Sequence, residues 1–194
     1  MTYKFRAPSF PEYWPGTDGL KARKFDFYPV SVSGSDVTPS PNPYGLSSSA
    51  AAGPTDVNTT INKTIYDSSV TWVWRGYFKP DQTSTSWQFR TRSNDGSWLW
   101  VDSAAENPTT ELDCDDAIVK NGGIHTATTV TSANISLSQS ADDDLYYAIA
   151  LVAGNDPGTG TIKLEFRRDG GDWQTDGTGF YFYDSRKNDG FNPD

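Results

Sequence analysis

Apolar and polar positions along the chain alternate in short runs, each the length of a β-strand. Val70-Thr71-Trp72-Val73-Trp74-Arg75-Gly76-Tyr77-Phe78 is the strongest, closed by Lys79-Pro80-Asp81. Trp87 to Arg92 and Trp98 to Val101 follow, rich in aromatic and β-branched residues. Leu145, Tyr147, Ile149 and Leu151 fall on one face at period two, and Ile162, Leu164 and Phe166 alternate with Lys163, Glu165 and Arg167. Gly19 to Val32 and Gly179 to Asp184 read as the first and last strands, and Ala127 to Leu137 as a half-exposed one. Gly, Pro, Asn and Asp break these runs, no long helical periodicity competes, and no internal repeat is visible. The pattern predicts an all-β, two-sheet antiparallel β-sandwich, jelly-roll-like, with long surface loops.

The same pattern divides the chain. Residues 1–18 carry Pro8, Pro11 and Pro15 among Tyr3, Phe5, Phe10, Tyr13 and Trp14. That density of proline forbids helix or central strand, so the stretch reads as an extended docking or assembly arm. Residues 19–184 form the sandwich domain, interrupted at 33–60 by a Ser/Pro-rich surface excursion, and 185–194 form a polar tail. A chain of 194 residues is long enough for one sizeable core.

A net charge of -9 argues against nucleic acid as a partner and is compatible with cation binding. The single cysteine, Cys114, cannot form an internal disulfide, and Asp113, Asp115 and Asp116 around it disfavour a reactive thiolate. No run approaches the length of a membrane span. Met1-Thr2-Tyr3-Lys4-Phe5 has no apolar segment of secretory type, so the expectation is synthesis in a cytoplasm, with any exit by lysis, particle assembly or a dedicated route.

Candidate chemistry concentrates at Arg92-Ser93-Asn94-Asp95-Gly96-Ser97-Trp98-Leu99-Trp100-Val101-Asp102. An oxygen-rich corner precedes an apolar strand, and groups of this type bind hard cations and sugar hydroxyls. The alternative is a polar hairpin turn, for which Asn-Asp-Gly is a common sequence. Asp113, Asp115 and Asp116 read as a solvated acidic loop, and Asp142 to Asp144 as a turn. His125, the only histidine, reads as structural, with no second histidine or nucleophile placed to complete a triad. No carboxylate pair stands out for glycoside hydrolysis, so the reading is non-enzymatic. Trp173, in Asp169-Gly170-Gly171-Asp172-Trp173, sits in a loop and is the sugar-stacking candidate.

The order of these segments resembles the protective-antigen type β-sandwich (the PA-fourteen domain), whose relatives include the sugar-binding heads of yeast flocculins and adhesins. The resemblance rests on Gly19 to Phe25, Trp74 to Pro80, Phe89 to Asp102, Val119 to His125 and Leu145 to Leu151, and runs from about residue 19 to residue 183. In the sugar-binding members, two adjacent aspartates joined by a cis peptide bond chelate calcium, and an asparagine from a later loop completes the site. The carry-over assigns the metal ligands to Asn94, Asp95 and Asn155, with Asp156 and Trp173 joining those three in contact with the sugar. Asn94 stands where the family has its first aspartate, which implies weaker Ca2+ binding than in the aspartate-pair members, or none.

The expected function is a non-enzymatic carbohydrate-binding or adhesion module, calcium-assisted, on a virion or extracellular surface, such as a phage fibre, knob or decoration protein. Its partners would be a glycan on a host or neighbouring cell, and other virion or surface proteins through the arm. The alternative is a purely structural capsid or tail protein that keeps the fold without a ligand. A glycosidase accessory domain is a third reading.

Overall fold

A computed structural model describes residues 17–26, 56–81, 83–102, 114–139 and 145–183. Most of the arm, most of the excursion and the tail lie outside the described residues.

Among the described residues, thirteen strands follow in order: β1 (Thr17–Asp18), β2 (Leu20–Phe25), β3 (Asp56–Asn58), β4 (Asn62–Ile65), β5 (Val70–Phe78), β6 (Ser86–Asn94), β7 (Ser97–Val101), β8 (Val119–Asn121), β9 (Thr128–Thr131), β10 (Ile135–Ser136), β11 (Tyr147–Asn155), β12 (Gly160–Arg168) and β13 (Tyr181–Tyr183). A 3-10 turn, Cys114–Asp116, precedes β8. The strands form two antiparallel sheets. One has the order β1-β13-β5-β11-β7-β8, with β2 also on β5 and β3 on β2; the other has the order β10-β6-β12-β4, with β9 also on β6.

Period-two patterning decides what lies between the sheets. Trp72, Trp74 and Phe78 of β5, Leu99 and Val101 of β7, and Ile149 and Leu151 of β11 face Trp87 and Phe89 of β6 and Ile162, Leu164 and Phe166 of β12. Phe78 is the hub. Its ring lies edge-on to Trp87 at 5.0 Å, Phe89 at 5.1 Å and Phe166 at 5.5 Å, and stacks on Phe180 at 6.0 Å. Such offset and edge-to-face pairs add to the stabilisation from burial alone.

Several strands differ from the sequence pattern. β1 and β3 come from stretches read as arm and excursion; both are short polar edge strands, held by pairing with Phe182–Tyr183 and with Leu20–Ala22. β2 stops at Phe25. β6 continues past Arg92 to Asn94, because its inward positions there are Thr91 and Ser93 rather than apolar residues. The expected strand over 127–137 is two, β9 and β10. It breaks where the Ser132 Oγ accepts from Phe89 N at 3.0 Å and donates to Ala133 O at 2.7 Å.

The position of one set of connections matters for function. β4–β5, β6–β7, β8–β9 and β11–β12 each cross from one sheet to the other. Register puts all four crossings at the same end: Asn155 faces Val70, Ala153 faces Ser97, Asn121 faces Ser97, Gly160 faces Ile65, Asn94 faces Thr161, and Ser93 faces Thr128. Strand order then lines them up as residues 122–127, 95–96, 156–159 and 66–69.

Candidate functional site

The two inner crossings of that row carry the residues singled out in the sequence. Asn94 ends β6, Asp95 and Gly96 make the crossing, and Asn155 ends β11 directly before Asp156. The Asn94–Asp95 and Asp156–Pro157 peptide bonds are both cis.

Asp95 is the centre of the corner. It is 3% exposed, and no Lys or Arg pairs with it among the described residues. Its Oδ1 accepts from His125 N at 3.1 Å and its Oδ2 from Asp156 N at 2.8 Å. One carboxylate thus joins three crossings and keeps further lone pairs on both oxygens. The Asn94 amide can sit in two ways. Turned to donate, its nitrogen lies 2.8 Å from His125 O and 3.0 Å from Asp95 Oδ1. Turned the other way, its oxygen meets those two oxygens at one point, an arrangement that only a cation among them would favour.

Asn155 is fully buried. Its Nδ2 donates to Asp67 O and to Gly158 O, both at 2.7 Å. Its Oδ1 is buried with no hydrogen-bond partner. An orphaned buried acceptor of this kind is rare and asks for an explanation. The site is also tight: a Cβ at Gly160 would collide with Asn155 Oδ1 and with the Asn94 carbonyl oxygen. These donors are oxygens of carboxylate, amide and carbonyl type, the set a hard divalent cation takes. Asp95, Asn94 and Asn155 are therefore the residues able to hold one. Among the described residues, no three acids, histidines or cysteines cluster, so such a site would depend on amide and carbonyl oxygens.

Beneath the corner, hydroxyls replace apolar packing. Ser97 Oγ donates to Thr91 Oγ1 and lies 2.8 Å from Ser93 Oγ, which accepts from Asn121 Nδ2 at 2.8 Å. A saturated buried network of this sort fixes the backbone above it. The outer crossing at 66–69 is tied in as well. Ser69 Oγ donates to Asp156 Oδ1 at 2.9 Å, and Gly158 N donates to Ser68 Oγ at 3.1 Å.

The structure does not bring Trp173 here. Its ring lies over the outer face of β6 and β12, 4.2 Å from the guanidinium of Arg90 and 4.5 Å from that of Arg167. The half-buried ring is thus engaged by two cations on that sheet face, away from the crossing row. His125 holds Asp95 through its main-chain N–H, a role with no sequence signature; its ring lies against Thr126 O and Asn121 O. Asp115 and Asp116 lie on the 3-10 turn, exposed, while Asp113 and Asp142 to Asp144 fall outside the described residues.

A family model described as "GLEYA domain" matches residues 70–168, just over half of the chain. The chain belongs to the GLEYA domain family. Its matched region spans β5 to β12 and therefore contains the whole corner. Among solved structures, this GLEYA chain is similar to a PA14 sugar-binding domain from an RTX adhesin, at 14% identity and a TM-score of 0.62, over 87% of this chain and 99% of that one. It is similar to the A domain of epithelial adhesin 6 from Candida glabrata, solved with Galβ1-3GlcNAc, at 15% identity and a TM-score of 0.62, over 92% and 93%. A subtype-switched epithelial adhesin 9 A domain from the same organism, solved with β-lactose, matches at 14% identity and a TM-score of 0.64, over 97% and 96%. At these identities the likeness is one of fold, the protective-antigen type sandwich of adhesins. No curated protein matches the chain.

Proposed function

We propose that this GLEYA chain is a non-enzymatic carbohydrate-binding module of adhesion type that holds its sugar through calcium at the Asn94–Asp95 corner. One observation supports the reading: Asp95, a buried carboxylate with no Lys or Arg partner among the described residues, accepts from the residue directly after Asn155, whose buried amide oxygen has no partner. Asp95 would bind the ion through lone pairs left free by His125 N and Asp156 N, with Asn155 Oδ1, the Asn94 side chain and carbonyls of residues 156–160 as further donors. Bound there, calcium offers open coordination positions to two neighbouring hydroxyls of a sugar ring. The chain's own part is orientation: the hydroxyl network and the Ser68 and Ser69 bonds keep the donors in place before any ligand arrives. The glycan complexes of the two Candida adhesin domains, which share this fold, add weight.

Display on an outer surface follows from an adhesion role. A virion exterior, with residues 1–18 as the attachment segment, is the narrower form of the proposal and rests on that segment's prolines and aromatics alone. The rival is a structural assembly protein with a relic corner. A glycan array run in calcium and again in EGTA separates them. Binding in calcium that is lost in EGTA and in Asp95→Ala supports the proposal; silence under both conditions refutes it.

A further inference from the structure

Among the described residues, three large apolar side chains are exposed: Tyr66 at 78%, Ile124 at 50% and Val57. Two of the three lie on the outer crossings of the same row. Tyr66 begins the 66–69 crossing, beside the one that carries Asp156. Ile124 lies in the 122–127 crossing, beside the one that carries Asp95. Neighbouring strands are about 4.8 Å apart, so the outer crossings stand about 14 Å apart, with the oxygen donors midway between them. That interval leaves room for a sugar ring between them.

The Tyr66 wall is braced. Its neighbour Asp67 accepts from Asn155 Nδ2 through its carbonyl at 2.7 Å and pairs with Lys24 through its carboxylate at 2.8 Å. Ile124 adjoins His125, whose N–H holds Asp95. The loop that carries this exposed tyrosine is thus pinned to the donor residues, so the ring's place beside the corner is set by the same bonds that hold Asn155.

We infer that Tyr66 is the aromatic platform of the binding slot, stacking on the apolar C–H face of the sugar held at the corner, with Ile124 as the opposing wall. This inference rests on the glycan reading above. It assigns to Tyr66 the role expected of Trp173, whose ring lies against Arg90 and Arg167 away from the crossing row. Oxygen donors fix where the hydroxyls go; the two walls choose which ring faces and linkages fit between them.

The test is calorimetric titration of Galβ1-3GlcNAc and lactose, in calcium, into the full chain and into Tyr66→Ala, Tyr66→Phe and Ile124→Ser. Tyr66→Ala should weaken binding at least about tenfold, Tyr66→Phe should stay within about threefold of the parent, and Ile124→Ser should change the ratio between the two sugars. The calcium-dependent rise in melting temperature should be the same in Tyr66→Ala as in the parent, which separates a lost platform from a damaged corner. Parent-like binding by Tyr66→Ala overturns the inference and leaves the glycan reading standing. Equal losses in Tyr66→Phe and Tyr66→Ala also overturn it, since the ring would then not be the contact. A parent chain that binds neither these sugars nor any glycan on the array overturns both.

Discussion

Calcium should stabilise this chain measurably, and Asn155 should decide whether it does. The expected size follows from the donor set. The corner supplies one buried carboxylate, Asp95, with Asn94 and Asn155 as amides, and affinity for calcium falls as ligand charge falls. That places the dissociation constant near the weak end of protein calcium sites, on the order of 10⁻⁴ to 10⁻³ M. At about 10 mM calcium, ten to a hundred times that constant, preferential binding to the folded state contributes about 1.4–2.7 kcal/mol. For a domain of this size each kcal/mol moves the melting temperature by roughly 2–4 °C, so the shift should be about 3–11 °C. Asn155→Ala removes the Oδ1 donor, and also the bonds to Asp67 O and Gly158 O, so it should lower stability even without metal. The informative quantity is therefore the difference between calcium and EGTA within each protein, read by differential scanning calorimetry. A clear difference in the parent that collapses in Asn155→Ala is the expected result. Superimposable parent melts in calcium and EGTA would refute the reasoning from the orphaned oxygen.

Two further predictions concern the scaffold. Phe78→Ala empties the centre of a ring of aromatic side chains and should cost about 3–5 kcal/mol, read as a lower urea midpoint; a loss under about 1 kcal/mol would mean the neighbouring rings collapse into the space. Glu165 should contribute to acid sensitivity: burial pushes its carboxyl up, but Arg90 at 2.7 Å and Lys163 at 2.7 Å outweigh this and hold it below the ordinary value of 4.5. A carboxyl depressed in the folded state gives stability that is present above pH 4.5 and lost as pH falls through the lower folded value. Urea midpoints from pH 7 down to about pH 3 should therefore fall less steeply in Glu165→Gln than in the parent, and parallel curves would count against the assignment.

The chemistry of the corner and its location were legible in the chain to different degrees, for a physical reason. β12 announces itself because apolar residues recur at every second position, and β5 and β7 because they are near-continuous aromatic and β-branched runs buried on both faces. β6 is cut short in such a reading because Thr91 and Ser93 point inward to other hydroxyls, which hydrophobicity does not register. Asn94, Asp95 and Asn155 could be named from a family likeness, yet nothing local says that they meet. Their meeting depends on which sheet each flanking strand joins. β6 and β12 pair in one sheet, β7 and β11 in the other, and only that long-range pairing turns two connections into neighbours. The same dependence explains Trp173. Its glycine-rich surroundings promise exposure, yet its ring lies against Arg167, close by in the chain, and against Arg90, far away in sequence and brought there only by the pairing of β6 with β12. Tyr66, in Tyr66-Asp67-Ser68-Ser69, looks like one more polar turn until the crossings are put in order. A residue's chemistry can be read where it stands in the chain, but its neighbours here are set by strand order. The crossing row, more than any one side chain, is therefore what gathers these oxygen donors at one end of the sandwich.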